Sequence, residues 1–586
     1  MKNTCFHFLC NGVLIAFVAM LSACVDNNYD LSNIDTTTRL AVNELTVPFN
    51  VSCFEFDQIL DADKYEGLAK DTVIQGEDTV INYYIKKEGS FSSDVIKVQD
   101  FTVSRPAVDI VSSQIDLYVP AGISGIRAYY DLRTDRPATF KAEAENFDGA
   151  IKRIDYIYGS STIVSTLRLE GLSANVVKNV KIEGLVLQYP KGMDIADSRY
   201  DKNTGTYDLS NEVFIPNDRG EIMIENKISG VDAAIANLKI DYETKRIVYE
   251  DKVSVLEGRA NIYIDSDMPR SAKFVLSPSI LEIKATAFSG EIEYEVKNLE
   301  AQTIDLGEVP EFINQTGTNL SLTNPQIYLT FNNPVHEYGV YFNSGLQLET
   351  SHKGTTNVYA TDELIRTSKT EEINTFVLSP MKPEKMLGGY EDATHVSFKK
   401  LSNVLADTDG IPKTIKVNAT APKMPRQTVE KFKLGTDLEA VKGCYTFYSK
   451  LDLNEGSTIV YTDTVDGWND EDVDKIVIEK IKVDFDAKTE LPLEAVFSVC
   501  PIELGGKVRN DVQGTSNLLR AYADYDEEKD HISIIIDASK NPIQHLDGVL
   551  FKTDILDKKT AEIYPNMKLY VKNLKVTITG YYDTEL

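Results

Sequence analysis

Acidic, aromatic and thiol side chains are the groups in this chain whose type and spacing suit chemistry. The densest set is Asp466-Gly467-Trp468-Asn469-Asp470-Glu471-Asp472, followed by Asp474. Hard cations take closely spaced oxygen ligands, so Asp466, Asp470 and Asp472 are the candidate metal ligands. A solvated acidic loop has the same composition, because such a run stays in water by charge alone. Trp468, the single tryptophan, is the candidate ligand-binding residue. Exposed, its ring would stack on a sugar; buried, it is core. Asp201, Asn203 and Glu212 occupy the first, third and twelfth places of an EF-hand loop, but Gly205 replaces the third ligand and Thr206 the required glycine. The segment Tyr200 to Tyr207 reads instead as a hairpin, with polar turn residues between strand formers.

Catalytic motifs are missing. The chain has no G-x-S-x-G, G-x-x-x-x-G-K, G-x-G-x-x-G or H-E-x-x-H. Histidines 336, 352, 395, 531 and 545 are scattered without ligand spacing and read as surface or satisfied core residues. Glycosidases need only two carboxylates roughly 5 to 10 Å apart in space, and 90 acidic residues cannot be paired from sequence. The expectation is a protein with no catalytic residues and no cofactor.

The amino terminus carries the most specific chemistry. Lys2 gives a positive start and Phe6 to Leu21 an apolar stretch too short to span a bilayer comfortably, which is the build of a signal peptide over 1–23. Leu21-Ser22-Ala23-Cys24 resembles the lipobox of bacterial lipoproteins. The resemblance implies that the Cys24 thiol takes up a diacylglycerol and that cleavage precedes Cys24. Two or three acyl chains make a stable anchor, since each buried CH₂ contributes roughly 0.8 kcal/mol. Residues 24–38 are polar, acidic and without helical periodicity, as a solvated tether would be. Asp26 and Asp30 resemble the acidic export signal of Bacteroidota surface lipoproteins, although Asn27, Asn28 and Tyr29 interrupt the acidic run. Val25 stands where an inner-membrane retention signal has Asp. The implied place is the outer membrane, facing the exterior. Asp-Thr-apolar or Asp-Thr-Thr tripeptides at Thr36, Thr72, Thr79 and Thr464 resemble the O-glycosylation acceptor of the same lineage and imply exposed loops and turns.

Composition narrows the partners. The formal charge is −29, and removal of 1–23 takes away only Lys2 and makes the body more negative still. Such a field repels nucleic acid, so no nucleic-acid partner is expected. Beyond Cys24 the processed chain keeps Cys53, Cys444 and Cys500, with no C-x-x-C spacing. A Cys444–Cys500 disulfide suits an exported protein, whereas three buried thiols acting as small hydrophobes is the simpler reading.

Period-two alternation runs the length of the chain, which makes it mainly β: tandem antiparallel β-sandwich (Ig-like) domains with few short helices. Ile476 and Ile478 precede Ile481, Val483 and Phe485 with a one-residue slip, the signature of a β-bulge. Val177-Lys178-Asn179-Val180, Val296-Lys297-Asn298-Leu299 and Val571-Lys572-Asn573-Leu574 form a small internal echo. Helices are expected at Val231 to Leu238 and Ser397 to Leu405, with a single turn at Thr361 to Leu364. Proline-bearing breaks at Ser266 to Arg270 and Leu378 to Pro383 divide the body into 39–268 (one or two sandwiches), 269–380, and 381–586 with a short helix near its start.

The chain as a whole resembles the Bacteroidota cell-envelope lipoproteins built of tandem β-sandwiches. The resemblance rests on Leu21 to Cys24, the acidic tether, and the tract Thr462 to Trp468 ahead of Leu491-Pro492-Leu493. It implies a location and a fold class but no substrate. The leading expectation is a non-catalytic surface binding or adhesion protein, with a glycan as first ligand and a host or envelope protein as the other partner. The alternatives are a polymer-degrading hydrolase with paired carboxylates and a structural envelope or pilus-associated component.

Overall fold

The computed structural model describes residues 40–49, 53–55, 69–75, 78–104, 107–108, 115–118, 125–134, 136–171, 179–264, 271–280, 282–306, 315–352, 354–406, 411–465, 476–490, 492–520, 530–557, 564 and 567–582. These residues are mostly β-strand, and the strands form five sheets. Pairing is antiparallel except between Ile373–Ser379 and Thr394–Ser397, which run parallel.

Alternation of side chains builds three large cores, beside a small cluster of Tyr328, Val377 and Ala393. In the first, one half of a twelve-stranded sheet, containing Ile151–Glu170, Glu221–Asp232 and Ile283–Glu295, faces an eight-stranded sheet built on Val180–Gln188 and Arg246–Ile264. Ile163, Leu167 and Phe288 from one side meet Leu185, Phe140 and Ile262 from the other. The twelve-stranded sheet then continues through Thr414–Lys433 into Asn343–His352. Here Leu348, Ile415 and Val417 face Leu329, Leu378 and Phe447 of a six-stranded sheet and make the second core. The third lies between two five-stranded sheets, where Ile481, Ile532 and Ile534 pack with Ala495, Val499 and Val549.

The expected bulge is present. Along Ile476–Thr489 the register to Lys568–Tyr582 shifts between Ile478 and Lys480, which returns Ile481 and Val483 to the core face. The hairpin expected at Tyr200 to Tyr207 also forms, with Tyr200 opposite Tyr207 and Gly205 at φ 75°. Asp201 is occupied locally, accepting hydrogen bonds from the Asn203 backbone and the Thr204 hydroxyl, while Glu212 pairs with Arg199. The break expected at Ser266 to Arg270 falls outside the described residues.

The helix expectations need correction. Val231 stays in the ladder of Glu221–Asp232, and the following residues make one turn, held by the Asp232 carboxylate and ended by Asn237 at φ 49°. A segment this short cannot repay helix nucleation while its first residues pair as strand. Ser397 to Leu405 shortens to a 3₁₀ turn, Lys399–Asn403. Thr361 to Leu364 is not helical, because the Asp362 carboxylate accepts from Ser397 and the Lys399 amide instead of its own following amides.

Strand pairing crosses the limits expected along the chain. Asp78–Val95 pairs with Ala440–Lys450, Ile283–Glu295 with Thr414–Lys433, and Leu40–Phe49 with Lys568–Tyr582. Each core therefore gathers strands from distant stretches of sequence.

Candidate functional site

The residues singled out from the sequence fall into two groups. Cys24, Thr36, Asp466, Trp468, Asp470 and Asp472 lie outside the described residues. Of the remaining glycosylation candidates, Thr72 and Thr79 sit in the strands of one hairpin, Ala69–Gln75 and Asp78–Val95, opposite Ile81 and Ile74. Thr464 is exposed on Thr458–Val465, an outer strand of its sheet. These three positions are in strands, not in the loops and turns expected of them.

Cys444 and Cys500 are both free thiols. Cys500 is buried, and burial pushes its pKa up. The expectation of buried thiols fails at Cys444, which is exposed: Tyr445 and Phe447 take the inner face of Ala440–Lys450 and turn Cys444 outward. Cys53 lies in a short strand opposite Tyr570.

Carboxylates with displaced titration are held down by structural partners. The Arg199 guanidinium, with Tyr207, keeps Asp197 well below the ordinary range, and Arg509 does the same for Asp511. Burial pushes Glu503 up, but Lys507 and Arg509 together outweigh it. Among the described residues no three His, Cys, Asp or Glu side chains converge as metal ligands.

Two surface features stand out. The first is an apolar cleft between the sheets of the second core, bordered by Phe91, Phe331, Phe342, Leu346, Val417 and Tyr445. It holds about 80 Å³ of free space, roughly half of the ~150 Å³ apolar cavity that takes up benzene. Its apolar walls suit methyl groups rather than sugar hydroxyls.

The second feature is the outer face of the eight-stranded sheet in the first core. Ala260 and Ile262 are fully buried, so alternation turns Arg259, Asn261 and Tyr263 to the outside. The neighbouring strand Ile126–Asp131 places Tyr129 directly opposite Asn261, and Val180–Gln188 places Lys181 on its other side. Tyr129 is 59% exposed and Tyr263 37%. The Arg259 guanidinium lies 5.8 Å from the centre of the Tyr129 ring. Asn261 is only 6% exposed, and its side-chain carbonyl oxygen has no hydrogen-bond partner. Sequence reasoning missed this face, because residues from two distant strands build it; the alternation around Ala260 and Ile262 was its only legible sign.

No helix among the described residues is long and apolar enough to cross a membrane. No protein-family model matches the chain, and no curated protein matches it either. Solved structures show partial likeness. A Parabacteroides distasonis protein described as secreted aligns at 14% identity over 50% of this chain and 90% of its own, with a TM-score of 0.35. A chain from a structure described as the triple jelly-roll fold and turret assembly in an archaeal virus aligns over 93% of this chain and 98% of its own at 9% identity, with a TM-score of 0.12. Neither score reaches a shared fold, so the β-sandwich architecture stands on the strand pairing itself.

Proposed function

We propose that this chain is a lipid-anchored cell-envelope protein whose sandwiches act as non-catalytic binding modules, with a glycan as ligand and the outer membrane as the site of anchoring. One observation carries the reading. The first described strand after the tether, Leu40–Phe49, lies at the edge of a sheet in the third sandwich, hydrogen-bonded to Lys568–Tyr582. A lipid on Cys24 then holds the third sandwich, and the first, whose core shares no residue with the third, is left free to meet ligand. The exposed tyrosines of its outer sheet face suit stacking against sugar rings.

Two measurements test this. Replacing Cys24 with Ala should move the protein from the membrane fraction to the soluble fraction, and continued membrane retention would contradict the anchor. Soluble protein starting at residue 36 should be retained on at least one member of a host and plant glycan panel. Retention on none of them rules out the glycan ligand.

A further inference from the structure

Outward-facing residues of Ile126–Asp131 and Arg246–Ile264 form a surface of mixed chemistry. Tyr129 pairs across the ladder with Asn261, and Tyr263 stands two residues further along the strand of Asn261, so the two exposed tyrosines are diagonal neighbours with Cα atoms about 7 to 8 Å apart. Between them lies the Asn261 amide, whose carbonyl oxygen is buried and unpaired. Unpaired buried acceptors are rare in folded proteins, because losing water without gaining a donor is costly. A rotation of the amide toward the surface would let an O–H donor from outside satisfy it.

Charge on this face differs from that of the whole chain. The chain carries −29, yet here Arg259 lies between Asp131 and Glu183 on the two flanking strands, and Arg127 and Lys181 lie opposite Tyr263 and Asn261. The near balance offers hydrogen-bond donors and acceptors without a strong local field. A polyanion would meet the negative body around it, and a polycation would find no acidic surplus at the site.

We infer that this sheet face is a binding site for an uncharged polysaccharide. Sugar rings lie against Tyr129 and Tyr263, a ring hydroxyl donates to the Asn261 carbonyl, and Arg259 donates to hydroxyl oxygens from above Tyr129. The inference rests on the glycan reading given above and places it on named residues.

Affinity gel electrophoresis tests it, with the full chain solubilised in detergent and neutral polysaccharides (mannan, xylan, galactan and β-glucan) or polygalacturonate set in the gel. The expected result is retardation by at least one neutral polymer and not by polygalacturonate. Tyr129→Ala and Tyr263→Ala should each weaken it about tenfold, the scale of one lost aromatic contact. Met223→Ala, an exposed residue on the opposite sheet, should leave it unchanged. A thermal melt of each variant, matching that of the parent, shows that folding is intact. Neutral-polymer binding that survives the Tyr129→Ala/Tyr263→Ala double substitution overturns the site while leaving the glycan reading standing. Binding of polygalacturonate alone overturns the uncharged ligand, and binding of none of these polymers overturns the site, while the glycan reading falls with it only if the host and plant panel also fails.

Discussion

Arg509 is 5% exposed and is held on every side. It pairs with Glu503, reaches Asp511 at 2.8 Å, and donates to the carbonyls of Asn541 at 2.9 Å and Pro542 at 3.4 Å. Truncating Arg509 leaves the largely buried Glu503 with Lys507 as its remaining ion-pair partner and takes the donor from the Asn541 and Pro542 carbonyls. Arg509→Met should therefore cost about 3 to 5 kcal/mol. Urea unfolding monitored in the third sandwich measures this, and a loss under about 1 kcal/mol would show that water already compensates Glu503. Acid should act on the same groups. Burial pushes Glu503 and Asp484 up, but Lys507 and Arg509 in one case and Lys482 in the other bring both below their ordinary values. Their contribution is complete above the unfolded carboxyl range of about 4 and is lost as pH falls through the lower folded values. Denaturant midpoints should drop below about pH 4, with a shallower drop in Glu503→Gln. None of this could be read from an isolated Arg509 in a polar stretch. Two of the three members of the Asn echo share a geometry: Asn298 and Asn573 both sit at φ 53°, where asparagine is tolerated, and each donates to an aspartate, Asp94 or Asp486, at 2.6 Å, whereas Asn179 is not at positive φ.

At the scale of elements, Thr414–Lys433 does the joining, because Ile415 and Val417 enter the second core while Met424, Val429 and Phe432 enter the first. Its two prolines do not end it. The register to Ile283–Glu295 shifts between Ile292 and Tyr294, opposite Gln427 and Met424, so Pro425 falls in a bulge where no ladder amide is needed. The bulge at Ile478 was legible from apolar phase alone, since Ile481, Val483 and Phe485 beyond it share one core-facing side. The helices were not, because periodicity over eight or nine residues cannot reveal a neighbouring Asp362 or a ladder that has already claimed Val231. The apolar cleft belongs to this scale as well. Val417 borders it and is 9% exposed, so Val417→Ile adds one methylene toward free space, worth about 0.8 kcal/mol if it packs. A rise of a few degrees in melting temperature is expected, and a fall would mean that the added carbon meets wall instead of space.

The β class was legible in the whole chain, but its connectivity was not. Alternation reports which face of a strand is buried, and it carries no record of which distant strand lies alongside. That limit matters most where the chain closes on itself. Leu40–Phe49 and Cys53–Glu55 line one side of Lys568–Tyr582, whose other side pairs with Ile476–Thr489. Removing the first two strands would leave a long strand with its amides and carbonyls unpaired along one edge, a template for association with another copy. A chain beginning at Ala69 keeps the other described strands, so its first and second cores should melt as they do in a chain beginning at residue 36. Its third sandwich should melt earlier, and the protein should elute from size exclusion as larger species in proportion to its concentration. Unchanged melting and a concentration-independent elution volume would mean that the third sandwich holds without its amino-terminal strands. The tether would then join a part of the molecule that contributes nothing to that sandwich's stability, and force on the anchor could peel it away without unfolding the rest.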